Sequence, residues 1–327
     1  MAEQRTATRT DASAHQERRG TLADISVRCP LCGADDYHVR FASSLGGEVG
    51  DIDPQRHYTS TSKEYGGFTG SIVECRSCSL VYMNPRPHHQ KVQDAYGAVE
   101  DVRYVEEESG RVATFAESLR LVQRFAPAGK LLDVGCHVGT FLELAEQAGF
   151  DVAGVEPSRW AAEQANARLQ GTVFCGAVED APIPADTFDA VTIWDVIEHL
   201  PDPASDLRAI WHALRPGGVV AISTMDVEAL FPRIAGRRWP WYMQMHLVYF
   251  SRTTLPEMLR REGFQIADVS SHRRTVRVSY LVSRLAAYSR PVHRAAAALT
   301  RATHLDDRLV GVNLGDIFTV IARKPLA

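Results

Sequence analysis

The chain has 327 residues, 45% of them hydrophobic and 23% charged, with a formal net charge of −4. That length allows one large domain or about two of ordinary size, and the apolar fraction excludes a mostly disordered chain. No apolar run approaches the roughly 18 residues needed to cross a bilayer. The opening MAEQRTATRTDASAHQERRG has no apolar centre, so no secretory signal and no membrane association are expected, and the default is a soluble cytoplasmic protein.

The charge is uneven. Residues 272–327 carry nine Arg and one Lys against Asp306, Asp307 and Asp316, a surplus of +7 that leaves −11 for residues 1–271. Four of the 36 basic residues are Lys, so the positive charge is almost all guanidinium, which favours two-pronged contacts with carboxylate or phosphate. The acidic bulk argues against nucleic acid as a partner, while the basic tail suits an anion.

In chain order, residues 1–24 are polar, without periodicity, and read as a disordered lead. Residues 25–90 hold two close cysteine pairs among many glycines and read as a small module that needs a staple. Residues 91–127 read as a helical connector, with Phe115, Leu119, Val122 and Phe125 at helical spacing. From 128 to 327, short apolar runs alternate with amphipathic helices: LLDVG, FLELAEQAG, DVAGVEP, RWAAEQANARLQG, FDAVTIW, ASDLRAIWHAL, VVAIST. That alternation specifies a mostly parallel sheet covered by helices on both faces. FQIADVSSH and IFTVIARKP add two strands, separated by an Arg-rich stretch, 273–308, that reads as helix.

Cys29-Pro-Leu-Cys32 and Cys75-Arg-Ser-Cys78 are two CxxC units. Two residues between thiolates let both sulfurs point inward from a tight knuckle, and two knuckles make a tetrahedral site for one structural Zn²⁺. Disulfides are disfavoured in a reducing compartment, and a redox CxxC would open a helix rather than sit in a turn-rich segment. Cys136 and Cys175 lack such partners and read as buried small hydrophobes.

LLDVGCHVGTFLELA reads as strand, glycine turn and helix, with a second strand ending in Glu156. The turn lets a ligand approach the backbone, and a carboxylate at the next strand end can accept from both hydroxyls of a ribose. Together with VEPS, TFDAVTIWDVIEHLPDP and LRPGGVVAIST, this order of motifs resembles the class I S-adenosylmethionine-dependent methyltransferases. The resemblance implies a Rossmann-like α/β domain with a small zinc-ribbon-like module in front. It further implies that Asp133, Gly135 and Gly139 line the methionine side of S-adenosyl-L-methionine, that Glu156 holds its ribose, that Ala177 and Val178 flank the adenine, and that Trp194 and Asp195 lie beside the cofactor. One departure is His137, where the family's loop has its middle glycine. CPLCG followed by CRSCSLVYMNPRP is also similar to bacterial methyltransferases that carry a fused zinc module.

Such an enzyme must position an acceptor and take its proton, and the candidate bases are His246 and His199. Residues 231–250 contain no acid and hold two Trp, two Met and two Tyr, resembling the family's acceptor-covering insert. Trp239, Trp241 and Tyr242 could then wall a ring. Asp195, Glu198 and His199 would share a helical face, a pattern similar to the quinone-pathway O-methyltransferases, but a catalytic Mg²⁺ is not expected from so few carboxylates. Arg273, Arg277 and Arg284 would line one face of the Arg-rich helix opposite Val278, Leu281, Val282 and Leu285; the first two are candidates to clamp an anionic acceptor. The expected function is methyl transfer to a hydroxyl or carbon of a small molecule, a sugar nucleotide or secondary metabolite. The alternatives are an RNA-base methyltransferase with a zinc module and a non-catalytic cofactor-binding scaffold; a homodimer is also open to this chain.

Overall fold

The structure, a computed structural model, describes residues 24–44, 54–59, 67–287 and 289–326. The polar lead expected over 1–24 therefore lies almost wholly outside the described residues.

The N-terminal part contributes β1 (Tyr37–Phe41), the short α1 (Pro54–His57), β2 (Ser71–Cys75) and β3 (Val81–Asn84). The expected helical connector is three helices, α2 (His89–Gly97), α3 (Val102–Glu106) and α4 (Glu108–Gln123). Beyond it run β4 (Gly129–Val134), α5 (Thr140–Gln147), β5 (Phe150–Glu156), α6 (Arg159–Leu169), β6 (Val173–Cys175), β7 (Phe188–Trp194), α7 (Pro203–Ala213) and β8 (Leu214–Met225). The caps agree with the sequence: Ser158 accepts from the Ala161 N–H to start α6, and Asp202 accepts from Ser205 beside Pro203 to start α7. The remainder is α8 (Leu230–Ala235), β9 (Val248–Tyr249), α9 (Thr254–Arg261), β10 (Gln265–Ser271), β11 (Arg274–Arg277), α10 (Val278–Arg284), α11 (Arg290–Ala302), β12 (Leu309–Val312) and β13 (Ile317–Arg323).

Seven strands form the main sheet in the order β10-β13-β8-β7-β4-β5-β6. The five from β8 to β6 are mutually parallel, and β13 runs antiparallel to both its neighbours. β7 is buried at every position, as a strand covered on both faces must be. Chain order reverses between β4 and β7, so the carboxyl ends of these strands open a crevice where ligands bind.

A second sheet, β1-β2-β3-β9, joins the cysteine module to the rest of the chain. Its last strand comes from the 231–250 segment: Val81 pairs with Tyr249 and Tyr82 with Val248. One continuous apolar core consequently runs from Leu31, Phe68 and Tyr82 through Trp239 and Phe250 to Ile222 and Phe318.

Two local expectations are corrected. The stretch 273–308 is not one helix: β11 pairs with β12 as an antiparallel ribbon, and α10 and α11 lie between them. Arg273, Arg277 and Arg284 therefore share no helical face. Cys136 is buried as expected, whereas Cys175 is exposed because it ends the edge strand β6, which has no outer neighbour.

Candidate functional site

The two cysteine knuckles are built alike. Cys29 accepts from the Gly33 N–H and Cys75 from the Ser79 N–H, each through its carbonyl at 2.9 Å, and Gly33 and Ser79 both take positive φ, +74° and +60°. This turn brings the four sulfurs together, with Cys29 Sγ 3.4 Å from Cys78 Sγ and Cys32 Sγ 3.5 Å from Cys75 Sγ. All four lie within 4.8 Å of one another. A disulfide would need about 2.05 Å, whereas two ligands on one tetrahedral zinc with Zn–S of about 2.3 Å stand roughly 3.8 Å apart. The donor set and spacing fit a closed zinc site.

At the crevice of the main sheet lies a cavity of about 890 Å³. One end of it is lined by Gly135, Glu156, Ala177, Val178, Trp194 and Asp195, the residues expected beside the cofactor, together with others. Gly135 has φ +74°, and a Cβ there would stand 2.5 Å from Val196 Cγ2, so only glycine leaves this wall intact. Glu156 is buried, its two oxygens accepting from the backbone N–H groups of His137 and Ser158 at 2.8 Å each. Burial pushes its carboxyl up to about 7 against those two bonds.

Asp133 and Gly139 stand behind this wall. The Thr192 hydroxyl donates to Asp133 Oδ1 at 2.6 Å, and burial pushes the Asp133 carboxyl up to about 8. Gly139, at φ +80°, makes room for Ala165 and Leu169 of α6. His137 takes the place of the loop's middle glycine by adopting φ +50°. Its ring stacks on Tyr104 at 3.7 Å, and Arg111 covers the other side of that tyrosine at 3.5 Å. Burial drives the imidazole down to about 3, so it is neutral at pH 7.

Phe231, Trp241, Met243, Met245, His246 and Arg274 also line the cavity. His199 and His246 meet with ring centroids 4.7 Å apart, and Trp241 lies nearly parallel to His246 at 6.3 Å. His199 Nδ1 donates to the Met245 carbonyl at 3.0 Å. Burial lowers the affinity of both imidazoles for a proton; for His246 the neighbouring His199 lowers it further, and a bond to the Trp241 backbone only partly opposes this.

Asp195 does not share a face with Glu198 and His199. It takes φ +56° and turns to Arg274 and to the Ser223 hydroxyl, which donates at 3.1 Å. Burial raises its carboxyl, but Arg274 and His272 outweigh burial and hold it below the usual carboxylate range. Glu198 accepts from the Thr224 hydroxyl at 2.9 Å, and burial and Asp195 push its carboxyl up to about 8. The atoms that come within 4.8 Å of one another belong instead to Glu198, His199 and His246. One carboxylate and two imidazoles are a poor donor set for Mg²⁺, a hard cation that takes oxygen ligands.

Trp241 lines the cavity, whereas Trp239 and Tyr242 are part of the core. Trp239 Nε1 donates to Asp316 at 2.9 Å, and Tyr242 packs edge-on against Phe41 at 5.2 Å. Arg273 and Arg277 are outside the lining; Arg273 pairs with Glu117 at 2.7 Å and Arg277 with Glu107 at 2.9 Å. Arg86, Arg111, Arg274 and Arg284 do line the cavity, and the guanidinium of Arg274 stands 5.0 Å above the Trp241 ring. Alternation along Arg274-Thr275-Val276-Arg277 with a β-branched pair was the available signal, since in a strand Arg274 points opposite to Arg273.

Several buried polar atoms on this wall have no partner among the described residues: Tyr58 Oη, Tyr96 Oη, Glu198 Oε1, Trp194 Nε1 and His137 Nδ1. Buried polar groups are nearly always paired, so these five atoms are exceptions, and all of them belong to residues that line the one cavity.

The family described as "Methyltransferase domain" matches residues 106–269. The ubiquinone biosynthesis O-methyltransferase of Aeromonas salmonicida is 39% identical over 155 residues, which cover 43% of this chain and 65% of that protein. The protein of the same name from Xanthomonas axonopodis pv. citri is 30% identical over 161 residues, covering 45% and 67%. The chain thus spans about half to two thirds of the length of these curated relatives. Among solved structures, an S-adenosylmethionine dependent methyltransferase from Mesorhizobium loti aligns with 21% identity and a TM-score of 0.43, covering 63% of this chain and 96% of that one.

Proposed function

Because the chain belongs to the methyltransferase-domain family, whose match spans half of it, we propose that it is an S-adenosylmethionine-dependent methyltransferase acting on the hydroxyl of a small aromatic acceptor. The carrying observation is a single cavity that joins Gly135 and Glu156 at one end to His246 and Trp241 at the other. When bound, S-adenosylmethionine supplies an electrophilic methyl group. Glu156, with both oxygens already oriented by backbone N–H groups, would accept from the ribose hydroxyls. Gly135 would leave room for the cofactor at the turn.

At the other end, Phe231, Trp241, Met243 and Met245 give an apolar, aromatic wall that suits a ring better than a sugar nucleotide. Arg273 and Arg277, the arginines expected to meet a diphosphate, do not line it and are paired with Glu117 and Glu107. The relatives' O-methyltransferase names agree with a hydroxyl acceptor. His246, kept neutral by burial, offers a ring-nitrogen lone pair to that hydroxyl proton, and the His199 ring packs against it. The four thiolates would hold a structural zinc ion that cross-links β2–β3 to the segment before β1. The base needs no Mg²⁺.

The test is methyl transfer from labelled S-adenosylmethionine to a panel of phenols, sugar nucleotides and RNA, with native chain and His246→Gln. Phenols should be labelled. The variant should lose roughly 10²- to 10⁴-fold in kcat while its calorimetric affinity for S-adenosylmethionine is unchanged. Preferential labelling of sugar nucleotides or RNA, or an undiminished kcat, would overturn the reading.

A further inference from the structure

Helix α11 presents its apolar side to solvent. Val292, Ala295, Leu299 and Ala302 follow helical spacing on one face, and all four are exposed, Val292 to 54% and Leu299 to 66%. The opposite face, His293, Ala296, Ala297 and Thr300, is half-buried against α10 and the turn at 285–287. This inverts the usual surface helix, whose apolar stripe faces the core. Exposed Arg290, Arg294 and Arg301 flank the apolar stripe along one side. From Ser289 to Leu305 the sequence has three arginines and no acidic residue.

We propose that α11 docks onto the surface of anionic lipid bilayers. In this arrangement Val292 and Leu299 enter the acyl-chain boundary, and Arg290, Arg294 and Arg301 reach the lipid phosphates while their methylene stems extend the apolar contact. Charge complementarity selects this occupant. Two copies of an acid-free arginine face repel each other, whereas anionic headgroups attract it. Residues 1–271 sum to −11, so an anionic surface also orients the molecule with this end toward it. The helix needs no membrane span, and no described helix is long and apolar enough to cross a bilayer. Its neighbour α10 places Tyr280 and Leu281 on the cavity wall, so docking sets the cavity next to the lipid surface. The docking itself stands apart from the chemistry proposed for that cavity.

The test is co-sedimentation of the full chain with vesicles of phosphatidylcholine alone, or with about one-third phosphatidylglycerol. Binding should be at least about tenfold tighter to the anionic vesicles and should weaken with added salt. The double variant Val292→Asp/Leu299→Asp, which alters only exposed positions, should lose about tenfold or more in vesicle affinity. Its thermal midpoint and its affinity for S-adenosylmethionine should stay native. Absence of vesicle binding, equal binding to both compositions, or undiminished binding by the variant would each overturn the proposal. So would a native dimer that ignores vesicles and dissociates in the variant, which would assign the face to a second copy.

Discussion

Replacing Glu156 by Gln tests the cofactor end through pH. Burial pushes the Glu156 carboxyl up to about 7 in the unliganded chain, from an ordinary 4.5. The group is then about one-tenth ionised at pH 6 and about nine-tenths at pH 8. If the ionised form is the one that accepts from two hydroxyls, S-adenosylmethionine should bind about tenfold more tightly at pH 8 than at pH 6. The glutamine has no charge to gain, so its affinity should be flat over that interval. At pH 8 it should also be weaker by about 1–3 kcal/mol, the difference between charge-assisted and neutral hydrogen bonds. Its amide NH₂ must moreover face one of the two N–H donors, of His137 or Ser158, that the native oxygens satisfy. Stability supplies a second readout. An acid whose native value is raised favours folding at low pH, and that advantage, about 3 kcal/mol here, is lost as pH rises from 4.5 through 7. The unliganded native chain should therefore lose thermal stability over that range relative to the variant. Calorimetric titration and thermal melts at pH 5, 6, 7 and 8 give both quantities. A glutamine variant that keeps the native affinity and its pH slope would refute the assignment of Glu156 to the ribose.

Native chain should carry one zinc ion by elemental analysis, and Cys75→Ala should lose it. Since Cys75 and Tyr82 lie in the same core as Phe318, the melting temperature of the whole chain should fall with the metal rather than that of a separate module; a second, unshifted transition would contradict the shared core. Arg274→Met should cost about 1–3 kcal/mol, because it leaves Asp195 without its cation. Arg274 holds the Asp195 carboxyl below its ordinary range, so the stabilisation is present above about pH 4 and is lost as pH falls through the lowered native value. The gap in melting temperature between native and variant should therefore narrow in acid, and a gap independent of pH would count against this pairing.

The sequence by itself determined the alternation of strands and helices and the turns that close within a few residues. Alternating apolar runs and amphipathic helices specified the parallel strands β4 to β8, because strand and helix periods are local properties of side-chain placement. The two CxxC units likewise specified their knuckles, since two intervening residues and a left-handed residue after each pair suffice to aim the sulfurs. The glycine turn and Glu156 were legible for the same reason: strand end and turn lie a few residues apart.

Only the tertiary structure decided which residues of the 231–250 segment line the cavity. The 231–250 segment is aromatic throughout, and periodicity could not say that Trp239 and Tyr242 enter the core while Trp241 and His246 face the cavity. That division follows from β9 pairing with β3, where Val81 meets Tyr249 across 168 residues, and from Trp239 bonding Asp316 across 77. Arg274 rather than Arg273 or Arg277 enters the site because residues 274–277 pair with 309–312, a ribbon closed by a partner more than thirty residues away. Such pairings are set by the free energy of the assembled core and the satisfaction of backbone groups, and no window of neighbouring residues contains them.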